Sequence, residues 1–335
     1  MTLIPFCDLS RALAPIRRDI DAAIAGCLDR SSFLHGFQTK AFEEEWADFC
    51  GQKYAVCCNS GTDALTLAST ALGMTSATIP ANTLALTGIG LSRGGAKVSI
   101  AEISNEGWML EQSNDAVPVL IYGRIPDPCN KVASLYDAAH AHGWKPPDGA
   151  TAAWSFYPTK SLGALGDAGA VTTNDAVLAA SMRELSGRDD KLHDRRQITS
   201  RIDEIQAAIL RVKLQHLNLW LDQRAEIAEH YDKRFNGLGI SLTGRSMNHL
   251  FVVRVPGRDG LMALLNQRGI GCKIHWAQPL HKLSGPWQHN GTYSEAENWC
   301  DSILSLPCYP GLRTNEINII CDAVEEYCNN NKLFK

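Results

Sequence analysis

Strand-like and helix-like runs alternate from Tyr54 to Tyr136, and no other feature constrains the fold as much. The runs Tyr54–Cys58, Ala77–Ile79, Lys97–Ile100, Val117–Tyr122 and Val132–Tyr136 are short and mostly apolar, as buried strands are. Asp63–Leu72 and Leu84–Ser92 carry their apolar residues at helical spacing and fall between them. Such alternation builds an α/β fold: a mainly parallel mixed sheet with helices on both faces. Helical patterns over residues 11–29 and Thr39–Cys50 precede it. Ala170–Thr173 reads as one more strand. Asp203–Asn218 is an amphipathic helix whose pattern continues to Phe235, where Asn236 and Gly237 end it. Beyond Gly239 the pattern changes. His249–Val255 and Cys272–His275 read as strands, and Asp259–Arg268, Ser294–Ser302 and Asn315–Tyr327 as helices. A large domain over 1–232 and a small C-terminal α+β domain over 233–335 follow. The length of 335 residues has room for about two domains.

Three polar stretches stand at strand ends, where open α/β sheets bind ligands. Lys160 follows the run Ser155-Phe-Tyr-Pro-Thr and precedes a loop with Gly163, Gly166 and Gly169. A lysine held there can enter a pocket, lose solvation and present a neutral amine nucleophile. Asp137 closes the run Val132–Tyr136. A carboxylate there can hold a pyridine nitrogen protonated, or it can cap a following helix. Asn59-Ser-Gly-Thr-Asp63 joins a strand to a helix. That turn is either an ordinary cap or an anion site in which free N–H groups meet a phosphate.

Composition narrows the classes. The formal charge of −4 leaves no basic footprint for nucleic acid. No run of about 18 apolar residues suggests a membrane span, and the first residues do not read as a secretory signal. The eleven cysteines contain no Cys-x-x-Cys pair, so no zinc site is expected. They read as reduced, small apolar side chains of a cytoplasmic protein.

Taken in order, these stretches resemble the DegT/DnrJ/EryC1/StrS family of pyridoxal-phosphate-dependent sugar aminotransferases, which have the aspartate-aminotransferase fold type I. The resemblance runs nearly end to end. It rests on Phe33-Leu-His-Gly36, Phe42-Glu-Glu-Glu45, Ser60-Gly-Thr-Asp-Ala-Leu65, Pro80-Ala-Asn-Thr83, Tyr136-Asp-Ala-Ala-His-Ala-His-Gly143 and Ser155-Phe-Tyr-Pro-Thr-Lys160. It continues through Ser200-Arg-Ile-Asp-Glu-Ile-Gln-Ala-Ala-Ile209, His275-Trp-Ala-Gln-Pro-Leu-His281 and Leu304-Ser-Leu-Pro307.

The resemblance implies a role for each matched position. Lys160 matches the Schiff-base lysine, which also moves the proton, and Asp137 matches the partner of the pyridine nitrogen. His140 stands where most members place glutamine beside the 3-hydroxyl of the cofactor. Ser155 matches a phosphate ligand, and Gly61, Thr62 and Asp63 match its cradle. Leu84 replaces an aromatic residue over the ring. Thr199 replaces an asparagine that reaches the phosphate from the neighbouring subunit. Trp276 replaces a tyrosine, and His275 is expected near the sugar as a third catalytic candidate. The charged loop with Lys191, Arg195 and Arg196 is expected to approach the neighbouring subunit's site. The link after Gly73 is shorter than usual. The implied activity is transfer of an amino group from glutamate to a nucleotide-linked keto-deoxysugar, by a homodimer with shared active sites. A cyclitol or aminoshikimate-type acceptor, or a non-catalytic sensor or scaffold, remain as alternatives. Lys160 disfavours the family's dehydratases, which carry histidine there.

Overall fold

The computed structural model describes residues 3–111, 113–126, 132–187, 196–242 and 244–331. Its centre is a mixed sheet in two hydrogen-bonded parts. In the first, β1 (Tyr54–Cys58) pairs antiparallel with β6 (Gly169–Thr173), β6 antiparallel with β5 (Thr151–Ser155), and β5 parallel with β4 (Leu135–Asp137). In the second, β2 (Ser76–Pro80), β3 (Lys97–Ala101) and β8 (Trp287–Gln288) run parallel. Residues 116–120 stitch the two parts together. Val117 N–H donates to the Thr78 carbonyl at 2.9 Å, and Leu120 N–H to the Asp137 carbonyl at 2.9 Å. The sequence pattern predicts a strand over Val117–Tyr122, but only isolated bridges form. Pro118 has no N–H to give the ladder, and the chain then curls into a 3₁₀ turn over Ile121–Gly123.

Alternate side chains enter two different cores, so the sheet is covered on both faces. Val56, Cys58, Ala153 and Val171 join one cluster, while Ala55, Cys57, Ala152, Trp154 and Ala170 join the other. Helix α4 (Gly61–Ala71) adds Ala64, Leu65, Leu67 and Ala68 to the first. Helix α3 (Phe37–Cys50) adds Phe42, Trp46, Ala47 and Cys50 to the second, and ends at Gly51, whose φ of 69° favours glycine. Helix α5 (Ala85–Arg93) lies between β2 and β3 in the chain.

Several boundaries move for local reasons. The helical pattern over 11–29 breaks at Pro15 into α1 (Leu9–Leu13), a 3₁₀ turn and α2 (Arg17–Asp29). The helix expected from Asp203 to Phe235 becomes α7 (Glu204–Leu214) and α8 (Leu217–Phe235), with a break at residues 215 and 216. Helix α6 (Ala176–Leu185), β5 and β8 are additional to the expected elements.

In the C-terminal part β7 (Phe251–Arg254) pairs antiparallel with β9 (Ile303–Leu306). Helices α8, α9 (Arg258–Gln267) and α11 (Thr314–Asn330) pack round a separate core with Val253, Leu265, Leu304 and Ile320. Helix α10 (Ser294–Ser302) forms where expected. The expected strand Cys272–His275 makes only one bridge, Lys273 to Ser305. The expected boundary near residue 232 falls inside α8. Moreover, Leu280, Trp287, Tyr293 and Trp299 pack in the core of the large part.

Candidate active site

Three strand ends and two helix ends meet round a cavity of about 380 Å³. Ser60, Gly61 and Thr62 line one side, at the start of α4. Ser60 is the N-cap, and its hydroxyl accepts the Asp63 N–H at 3.1 Å. The amides of Gly61 and Thr62 precede any intrahelical acceptor, so they and the helix dipole favour an anion there. Ser155 closes the cradle from the end of β5. A Cβ on Gly61 would lie 2.8 Å from that of Ser155, and one on Gly169 would lie 2.4 Å from the Ser60 carbonyl. Glycine is therefore required at both positions by close approach.

Lys160 enters the cavity from a turn whose N–H donates to the Tyr157 carbonyl at 2.8 Å. Burial pushes its pKa down to about 8, and Asp137 opposes the shift. Asp137, at the end of β4, is buried. One carboxylate oxygen accepts from the Thr87 hydroxyl at 2.8 Å, the other from the Ala139 amide at 3.1 Å. Burial raises its pKa, and those two hydrogen bonds and Lys160 oppose the rise. No helix begins after Asp137, so it is not a helix cap; the Ala139 contact is a two-residue turn.

Leu84, His140 and Trp276 line the cavity as well. Asp63 does not. Its amide is engaged by Ser60, and its carboxylate accepts from the Ser200 hydroxyl at 2.7 Å, which ties the Ser200–Glu204 stretch to the cradle. His275 is also outside the cavity wall. Its Nδ1 lies 2.8 Å from the Ser305 hydroxyl and its ring 5.6 Å from Phe6, while burial pushes its pKa down to about 4. Thr199 and Arg196 are exposed and outside this wall, and Arg195 and Lys191 lie outside the described residues. Among the described residues no group of three or more His, Cys, Asp or Glu is placed to hold a metal.

Four further residues support the site although the sequence assigned them no role. Thr87 reaches Asp137 because α5 sets it one turn beyond Thr83. Gln206 accepts the Leu165 N–H at 2.9 Å, and the ammonium of buried Lys213 donates to the Gly163 carbonyl, so α7 anchors the glycine loop that follows Lys160. Tyr157, about half exposed, forms part of the rim.

The donor set fits pyridoxal 5′-phosphate. The cradle at α4 suits a phosphate, Asp137 a ring nitrogen, and Lys160 a carbonyl carbon.

Comparison with known proteins places the site in context. A family model described as the DegT/DnrJ/EryC1/StrS aminotransferase family matches residues 15–118 and 129–325. A dTDP-3-amino-3,4,6-trideoxy-alpha-D-glucose transaminase of Streptomyces venezuelae is 34% identical, over 97% of this chain and 96% of that protein. The erythromycin biosynthesis sensory transduction protein EryC1 of Saccharopolyspora erythraea is 35% identical, over 92% of this chain and 95% of that protein. The crystal structure of S. venezuelae DesV in complex with a ketimine intermediate superposes with a TM-score of 0.89 at 32% identity, covering 98% of this chain and 99% of that one.

Proposed function

This chain belongs to the DegT/DnrJ/EryC1/StrS aminotransferase family, and on that premise we propose that it transfers an amino group from glutamate to a nucleotide-linked keto-deoxysugar with the aid of pyridoxal 5′-phosphate. One observation carries the reading. Lys160, its amine depressed to about 8, shares a buried cavity with Asp137, opposite the phosphate-type cradle of α4. When bound, the cofactor would supply an electron sink for the glutamate carbon that loses the amino group and for the keto carbon that gains it.

The chain's residues then have defined tasks. The amides of Gly61 and Thr62 and the hydroxyl of Ser155 hold the phosphate. Asp137 keeps the ring nitrogen protonated, and Thr87 and Ala139 fix the orientation of its carboxylate. Lys160 would bond to the cofactor's carbonyl carbon with loss of water, and its freed amine would take and return the migrating proton, for which an amine near neutral pKa is suited. Leu84 gives the ring an apolar neighbour, and Trp276 closes the acceptor side.

A keto-deoxysugar acceptor is consistent with the activity for which the 34% identical transaminase is named. The cavity wall includes exposed Leu86 and Tyr157, which supports a homodimer in which Arg196 and Thr199 serve the neighbouring site. Cysteines that pack as core residues, such as Cys50, Cys58 and Cys321, suit a cytoplasmic setting.

The EryC1 relative is named a sensory transduction protein, so a sensor that binds cofactor without turnover is the second reading. The test is a panel of nucleotide-linked 3-keto and 4-keto sugars with glutamate, read by mass spectrometry. Aminated product with consumption of glutamate is expected. A cofactor-loaded chain whose spectrum ignores glutamate and which aminates no sugar in the panel would establish the sensor reading instead.

A further inference from the structure

Tyr122 stands in the left-handed region, with φ 63° and ψ −1°, where a bulky side chain is uncommon. In this conformation its backbone N–H donates to Nδ1 of His140 at 3.1 Å. A ring nitrogen that accepts a hydrogen bond carries no proton, so the neutral ring has its one proton on Nε2. The surroundings leave the ring little freedom. His249 packs with its ring centroid 4.5 Å away, and Trp276 stacks at 5.8 Å with the planes 14° apart. The Tyr122 side chain secures the same assembly from its other end. Its hydroxyl donates to the His275 carbonyl at 2.6 Å and accepts from the Trp299 indole at 3.1 Å. A Cβ on the next residue, Gly123, would lie 2.8 Å from the His140 carbonyl, so the two main chains fit closely.

We propose that Tyr122 is a positioning residue: its main chain fixes His140 as the Nε2–H tautomer, so that one uncharged donor is directed at the phenolic oxygen of pyridoxal phosphate. This rests on the cofactor reading above. The groups whose charge bears on the His140 ring are Lys160, His275, His142 and His249. None is a carboxylate. Asp137, three residues away, is held by Thr87 and Ala139. Burial, with Lys160 next, keeps His140 neutral well below the ordinary histidine range. The donor therefore stays in place across the working pH.

The test uses the intact chain with ¹⁵N-labelled histidine, with and without pyridoxal phosphate. Long-range proton–nitrogen spectra distinguish the tautomers, and loss of one signal in His140→Gln assigns it. The Nε2–H form is expected in both states from about pH 6 to about pH 8.5. An Nδ1–H tautomer or an imidazolium in that range overturns the proposal. Two variants supply a second readout. His140→Leu should weaken cofactor binding about tenfold, the equivalent of one hydrogen bond. It should also raise the midpoint of the cofactor's visible-band pH titration, because a donor at that oxygen favours its anionic form. His140→Gln, which restores a donor, should return both values towards those of the unaltered chain. If the unaltered chain takes up no cofactor, the cofactor reading fails and this proposal with it. If it does and His140→Leu behaves like the unaltered chain, this proposal alone fails.

Discussion

Burial moves Lys160 and Asp137 in opposite directions, the amine down to about 8 and the carboxyl up, while each opposes the other's shift. A measurable pH dependence follows. Only the neutral amine attacks a carbonyl. Capture of pyridoxal phosphate by the cofactor-free chain should quicken about tenfold per pH unit below 8 and level off above it. Stopped-flow absorbance measures this. A rate that climbs steadily to pH 10 would mean an ordinary, solvated lysine. Lys160→Ala should retain phosphate-anchored cofactor but lose turnover. Asp137→Asn should fold normally and lose at least about tenfold in turnover, since a neutral amide cannot hold the ring nitrogen protonated; an unchanged rate would remove Asp137 from the mechanism. The cavity brings Lys160, Asp137, Ser155 and Gly61 together; of these, Asp137 and Gly61 stand at a strand end and a helix start that their own sequence neighbours define. Thr87 was not legible in the sequence, because it meets Asp137 across 50 residues of chain. His275 and Asp63 stand outside the cavity wall, where Ser305 and Ser200, distant in sequence, engage them.

Among the helices, α7 organises more of the site than its amphipathic pattern suggests. Its first residue, Glu204, is buried, and its carboxylate accepts the N–H groups of Gly36, Gln38 and Thr39 at 2.8–3.0 Å. It thereby caps α3, whose own N-cap Gly36 has no side chain. Glu204→Gln replaces one acceptor oxygen with a donor facing N–H groups. The cost should be about 1–3 kcal/mol in urea unfolding; a change within error would show that the cap contributes nothing net. Further along, Gln206 and Lys213 hold the glycine loop beyond Lys160. The alternation of strands and helices was readable because apolar periodicity is local. Where a proline intervened, it was not: Pro118 reduces an expected strand to bridges, and Pro15 divides an expected helix.

For the whole molecule, shared sites make a complementation test possible. We propose a two-fold dimer in which one chain's Arg196 and Thr199 complete the other's cradle, with symmetric geometry as the default. Lys160→Ala chains mixed with chains altered at both Arg196 and Thr199 should recover partial activity once subunits exchange, because a mixed dimer keeps one unaltered site. Exchange verified by mass without any recovery refutes sharing. The expected division near residue 232 falls inside α8, and several contacts cross it. β8 extends the large sheet beside β3, Trp287 packs close to Gly88, and Leu280 N–H donates to the Ala81 carbonyl at 2.8 Å. On these contacts we expect the two parts to fold together. A fragment ending at 232 would present a bare edge at β3 and an empty slot where the indole sat, an invitation to aggregate. The intact chain should accordingly melt in a single calorimetric transition, and pieces of it should resist being exchanged between relatives as modules.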